Sequence, residues 1–181
     1  MKNFIIILFL LVTVLNSEGQ FSKATLQASG LTCSMCSKAV KVALEKVDFV
    51  KSVSVNIKAQ EYILNFNPSS NVEFDKLKDA VVDAGFSVAS LKVEGVSQNL
   101  KVEKDSHEKI DGKIFHFLNG SGKQIQGAVT FKIVDKGFLS DKEFKKLSTI
   151  SKMACVQTGN SSTCCEKAGV SGNTRIYHVV I

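Results

Sequence analysis

The sequence predicts an α+β fold in two parts: a βαββαβ unit over residues 20–94, then a small mainly-β, OB-like unit with one helix over 95–181. Two apolar helical stripes carry the prediction. Cys36, Val40, Ala43, Leu44 and Val47 recur at i, i+4, i+7, i+8 and i+11, and Phe74, Leu77, Val81 and Ala84 form a second stripe. Between and around the stripes lie runs of period two, which read as strands.

Composition sets the class. The chain has 181 residues, is 44% hydrophobic and 22% charged, and holds a single proline. That is a globular composition. The net charge of +6 comes from basic residues spread along the chain, with neither a Lys/Arg cluster nor aromatic–basic alternation. A nucleic-acid partner is therefore not expected. Met1–Gly19 reads as an export signal. Lys2 opens it, Phe4–Leu15 is an unbroken apolar run too short for a comfortable span, and Ser17 and Gly19 supply small residues for cleavage before Gln20. The expected product is periplasmic or secreted, without stable membrane insertion once the signal is removed.

The elements follow in order. Thr25–Ser29 is a strand. It leads through a short loop into a helix at 37–47. Val53, Val55 and Ile57 alternate, as do Tyr62, Leu64 and Phe66, giving two strands joined near Lys58–Glu61. Asn67-Pro68-Ser69-Ser70-Asn71 is a loop whose last residue can cap a second helix, which Gly85 stops. A strand over Val88–Val93 completes four antiparallel strands with two helices on one face. Gly95, Ser97, Gln98 and Asn99 read as a linker. Beyond it come strands at Leu100–Val102, Lys113–Leu118 and Ile125–Ile133, with Asn119-Gly120-Ser121-Gly122 as a hairpin turn. Ser140-Asp141-Lys142-Glu143 is a capping box opening a helix. Residues 157–173 are rich in Gly, Ser, Thr and Asn and read as a mobile loop. Arg175–Ile181 is a closing strand.

The chemistry concentrates in Gly30-Leu31-Thr32-Cys33-Ser34-Met35-Cys36. Cysteines three apart at a helix start can point their sulfurs to one side. The unpaired N–H groups of the first turn favour thiolate there. Two thiolates make a soft, low-coordinate site, suited to Cu(I) or Hg(II) rather than to Mg or Ca. By spacing alone, a CxxC also fits a disulfide, a redox pair or half a zinc site.

Residues 23–93 resemble the heavy-metal-associated domain of copper chaperones, metal-pumping ATPases and periplasmic mercury-binding proteins. The resemblance rests on the Gly30–Cys36 motif, the helix after it, the β-hairpin and Asp83-Ala84-Gly85-Phe86. It implies a ferredoxin-like fold, Cys33 and Cys36 as metal ligands, and Phe86 beside them shielding the ion from water. Leu31 stands where the family usually has Met, as a core plug. Thr32 is neutral where zinc-favouring members carry an acid, which points to Cu(I) over Zn(II), with Hg(II) the other alternative. Met35 is expected to point out of the loop.

The other cysteines, Cys155, Cys164 and Cys165, have two readings. In an exported protein the first is a disulfide of Cys155 with Cys164 or Cys165. The second is another soft-metal site with His116 or His178. Both histidines alternate with apolar neighbours and read first as core residues, and His107 reads as solvent-exposed.

The expected function is a non-enzymatic metallochaperone or scavenger that exchanges its ion with a protein partner. The alternative is a thiol–disulfide oxidoreductase on the same CxxC. Against it stand the absence of tryptophan and the position of Pro68, away from the thiols. No catalytic triad, carboxylate pair or phosphate loop is evident.

Overall fold

The computed structural model describes residues 21–181 except Ser69 and Ser171. The expected export segment lies outside them. The order is β1 (Phe21–Ser29), α1 (Ser34–Glu45), β2 (Val50–Asn56), β3 (Glu61–Phe66), α2 (Phe74–Asp83) and β4 (Ser87–Glu103). It continues with β5 (Ser106–Ile110), β6 (Lys113–Phe117), β7 (Ser121–Ile133), α3 (Asp141–Leu147), α4 (Cys155–Thr158), a 3-10 helix (Thr163–Ala168) and β8 (Ile176–Val180). No described helix is long and apolar enough to cross a membrane.

The first six elements form the ferredoxin-like unit. Its strands lie in the order β2-β3-β1-β4, all antiparallel. β1 buries Ala24, Leu26 and Ala28 in strict alternation. α1 buries Val40 and Leu44, and α2 buries Phe74, Leu77 and Val81, into the same core. The second helix ends as expected. Gly85 takes φ +87°, and the Gly85 and Phe86 amides bond back to the carbonyls of Val82 and Val81 at 2.8 and 3.1 Å. Its start differs from expectation. Glu73, not Asn71, occupies the N-cap, and Asn71 instead donates to the Glu73 carboxylate at 3.0 Å.

The linker expected at 95–99 is the middle of β4. That strand lies between β1 and β7 and pairs with both. Hydrogen bonding to two neighbours overrides the loop-like composition. What Gly95, Ser97 and Asn99 mark is a register break against β7, between Ser97 and Leu100.

The C-terminal strands do not make a separate half-barrel. They prolong the same sheet, whose full order is β2-β3-β1-β4-β7-β8-β6-β5. The 119–122 segment is not a hairpin turn, because β8 inserts between β6 and β7, parallel to β6. Gly120 instead passes tightly over β4, where a Cβ would lie 2.6 Å from the Val102 carbonyl oxygen. The segment expected to be mobile carries α4 and the 3-10 helix, each ended by a left-handed glycine, Gly159 and Gly169. At Ser140 the capping box forms, with the Glu143 amide 3.3 Å from the serine hydroxyl.

One core spans both halves. Phe21 and Phe74 of the first unit meet Phe115, Phe131 and Tyr177 of the later strands, with ring centroids 5.1–6.2 Å apart and most pairs edge-to-face. A second, smaller core of Leu118, Val134, Leu139, Phe144, Cys155, Val156, Cys165 and Ile176 lies under α3, α4 and the 3-10 helix.

A polar clasp reinforces the join. Asp75, in the first turn of α2, accepts from Arg175 Nε at 3.0 Å and from the Tyr177 hydroxyl at 2.9 Å. Arg175 also meets Asp135 at 2.8 Å. Burial pushes the Asp75 carboxyl up, but hydrogen bonds and charge from Arg175, with Tyr177 and Lys78, outweigh it and hold it below the usual carboxylate range. A depressed folded-state value means that this stabilisation is present above the unfolded value and is lost as pH falls through the folded one. Asp75→Asn is therefore expected to lower stability at pH 7 by about 1–2 kcal/mol, less than a fully buried pair because both groups are one-third exposed. Its deficit relative to wild type should shrink in melts taken from pH 5 down to pH 3. A deficit that stays constant with pH would reject the clasp.

Candidate metal centre

The thiol pair sits at the junction of β1 and α1. Gly30 turns the chain at φ +88°, a conformation glycine adopts freely. Leu31 packs partly into the core. Cys33 is the N-cap of α1 in extended geometry, and its sulfur accepts from the Cys36 amide at 3.4 Å. The helix thus begins three residues earlier than periodicity indicated, and Cys36 falls in its first turn.

The two sulfurs are 2.9 Å apart. Cys33 is exposed and Cys36 partly so. Two metal–sulfur bonds of about 2.3 Å put the sulfurs about 3.8 Å apart at a tetrahedral angle and up to about 4.6 Å apart around a linear two-coordinate ion, so the pair must open by roughly one to two ångströms to admit an ion. Surface side chains at a helix start can do so at little cost. The hydrogen bond with Cys33, with help from the Thr32 backbone and hydroxyl, lowers the Cys36 thiol to about 7, so a substantial fraction is thiolate at neutral pH. The Thr32 hydroxyl lies 3.7 Å from the Cys36 sulfur. Phe86 lies against the loop from the other side; a Cβ on Gly30 would come 3.7 Å from its ring. Met35 points away and is 74% exposed.

Sequence reasoning missed Tyr62. It is fully buried beneath the site, and its hydroxyl donates to the Ser37 carbonyl at 3.2 Å, pinning the first turn of α1 to β3. The available signal was a lone hydroxyl on the inward face of an otherwise apolar strand.

The structure gathers the remaining cysteines and histidines elsewhere, on the face of the sheet opposite α1 and α2. Cys155, Cys164 and Cys165 are free thiols whose sulfurs lie within 4.8 Å of one another. Beside them His107, His116 and His178 stand side by side on β5, β6 and β8. His107 is half-buried rather than solvent-exposed as its polar neighbours implied. Its ring stacks on His116 at 4.3 Å, and its Nε2 is buried without a hydrogen-bond partner among the described residues. His116 is wholly buried, its Nε2 3.2 Å from Asp105 and its Nδ1 3.7 Å from the Cys155 sulfur. Burial, then the neighbouring histidines, lowers His116 to about 4, so its ring is neutral at pH 7. His178 is held by Asp135 at 2.6 Å.

A ferredoxin-like unit with a thiol pair at the start of its first helix defines a soft-ion-binding class of domain. The chain belongs to the heavy-metal-associated domain family, whose profile matches residues 25–87. It is 35% identical over 65 residues to the copper chaperone CopZ of Bacillus subtilis, covering 36% of this chain and 93% of that protein. Against the mercuric transport protein periplasmic component of Pseudomonas fluorescens it is 39% identical over 62 residues, covering 34% and 67%. A copper-transporting ATPase of Oryza sativa is 30% identical over 108 residues, and the chain spans only 11% of its length. The solved CopZ metallochaperone structure aligns over its full length and 38% of this chain, with 32% identity and a TM-score of 0.35. Residues 25–87 are therefore a metal-binding, metallochaperone-like domain.

Proposed function

We propose that this protein is an exported, periplasmic or secreted carrier of Cu(I), which holds the ion between Cys33 and Cys36 and passes it to the thiols of a partner protein. The observation that carries the reading is the adjacency of two accessible sulfurs at a helix N-terminus. Such a donor pair favours soft ions. Two-coordinate binding leaves the ion open to an incoming thiolate, so transfer proceeds by ligand exchange. The bulk of the comparison supports the same chemistry, since the chain is similar to copper chaperones and to a periplasmic mercuric transport protein. The neutral Thr32 beside the pair adds no oxygen ligand of the kind zinc would use, which sets Zn(II) behind the soft ions Cu(I) and Hg(II). Fractionation of the native host is expected to recover the mature chain outside the cytoplasm, beginning at Gln20.

One observation favours a second reading. Close thiols with one lowered pKa also suit thiol–disulfide exchange. Competition among Cu(I), Hg(II) and Zn(II) for the anaerobically reduced protein, run beside an insulin-reduction assay, separates the two. The carrier reading expects Cu(I) to displace Zn(II) and no catalytic turnover of insulin. Catalytic turnover, or a preference for Zn(II), would overturn it.

A further inference from the structure

We propose that the protein has a second, buried soft-metal site, formed by the thiols of Cys155, Cys164 and Cys165 with His116 Nδ1 as a fourth donor. It lies on the opposite face of the sheet from the two helices that carry and flank the CxxC. Cys155 opens α4, while Cys164 and Cys165 lie in the 3-10 helix, so two short helical turns bring the sulfurs together.

The spacing fits an ion. Two thiolates on one tetrahedral ion stand about 3.8 Å apart, and a thiolate and an imidazole about 3.6 Å. The sulfurs of Cys164 and Cys165 are 3.5 Å apart, and Cys155 Sγ is 3.7 Å from His116 Nδ1. All three sulfurs lie within 4.8 Å of one another, and His116 joins them through Cys155, the residue common to the thiol group and to the His107–His116 group. Three sulfurs and no carboxylate select a thiophilic ion over a hard one.

The surroundings are those of a ligand set. Metal-binding histidines commonly donate their other ring nitrogen to a carboxylate, which fixes the tautomer and aims the free lone pair. Asp105 does this here: its carboxylate meets His116 Nε2 at 3.2 Å, leaving Nδ1 facing Cys155. His107 Nε2 is buried without a hydrogen-bond partner among the described residues, close to Cys155 and His116. Asp105 itself adopts φ +61° in the β4–β5 turn, a conformation that Asp tolerates better than most residues. The Ser162 hydroxyl, 3.0 Å from the Cys164 sulfur, positions the third thiol. Cys155 and Cys165 are fully buried while Cys164 is partly exposed, so the ion enters past Cys164 and, once held, exchanges slowly.

The test uses the anaerobically reduced full chain with Cu(I) as the probe. Wild type should bind two Cu(I), one released quickly and one slowly to a competing chelator. Cys33→Ser/Cys36→Ser should keep the slow ion alone, with X-ray absorption showing a shell dominated by more than two sulfurs. Adding Cys164→Ser to that background should weaken the remaining ion at least tenfold. Cys164 is chosen because its partial exposure spares the core, and circular dichroism checks the fold of each variant. Failure of the double variant to bind any Cu(I), indifference to Cys164→Ser, or a count of one free thiol in the double variant as isolated, before any reductant is added, signifying a disulfide, would overturn the site. If the CxxC reading alone is wrong, the double variant instead matches wild type in both stoichiometry and release, and Cys164→Ser still removes an ion.

Discussion

Cys33→Ser and Cys36→Ser should each remove the fast-exchanging Cu(I), weakening binding at the helix start by roughly a hundredfold or more, about 2.7 kcal/mol. A two-coordinate site that loses one thiolate keeps a single strong donor, and the Thr32 hydroxyl beside it is a poor substitute. The fold should survive. Cys33 occupies the N-cap of α1, where serine is a favoured residue, so Cys33→Ser keeps or improves the cap. Cys36 is only partly buried, and its replacement should shift stability by about 0.5 kcal/mol or less. Competition titration with a Cu(I) chelator, followed by a thermal melt of the same samples, checks both halves of this expectation. Wild-type affinity for the fast ion in either variant would reject the pair as ligands.

Phe115→Ala is expected to destabilise the protein by about 3–5 kcal/mol. The ring is wholly buried, and its centroid lies 5.1 Å from Phe131, 5.7 Å from Phe21 and from Tyr177, and 6.2 Å from Phe74. Truncation removes the contacts of all four and leaves a cavity that the sheet cannot close. Phe21 and Phe74 belong to the ferredoxin-like unit while Phe115 does not. The loss should therefore be felt on both sides of Gly95. Denaturant unfolding should remain one cooperative transition, and hydrogen exchange should accelerate in α2 and β1 as much as in β6. Two separate transitions, with the first unaffected, would show that the domain stands apart from the later strands.

This coupling explains which features could be read from sequence. Helix α2 was legible because Phe74, Leu77 and Val81 fall on one face and Gly85 follows. β3 was legible because Tyr62, Leu64 and Phe66 alternate. The thiol loop was legible because its chemistry is contiguous. β5 was not: Ser106-His107-Glu108-Lys109 has no apolar alternation, and it becomes a strand only by pairing with β6. The histidine row was hidden for the same reason, since His107, His116 and His178 become neighbours only through strand register.

The amino-acid sequence by itself determined helices α1, α2 and α3, the inner strands, the capping box at Ser140 and the motif that carries Cys33 and Cys36, because periodicity, caps and adjacent residues act over a few positions of chain. Only the tertiary structure decided that β4 runs unbroken through Gly95, that β8 enters between β6 and β7, and that Asp105 and two histidines gather around Cys155. Those arrangements depend on hydrogen-bond partners and apolar cover supplied by residues far along the chain, whose pairing energy outweighs local preference.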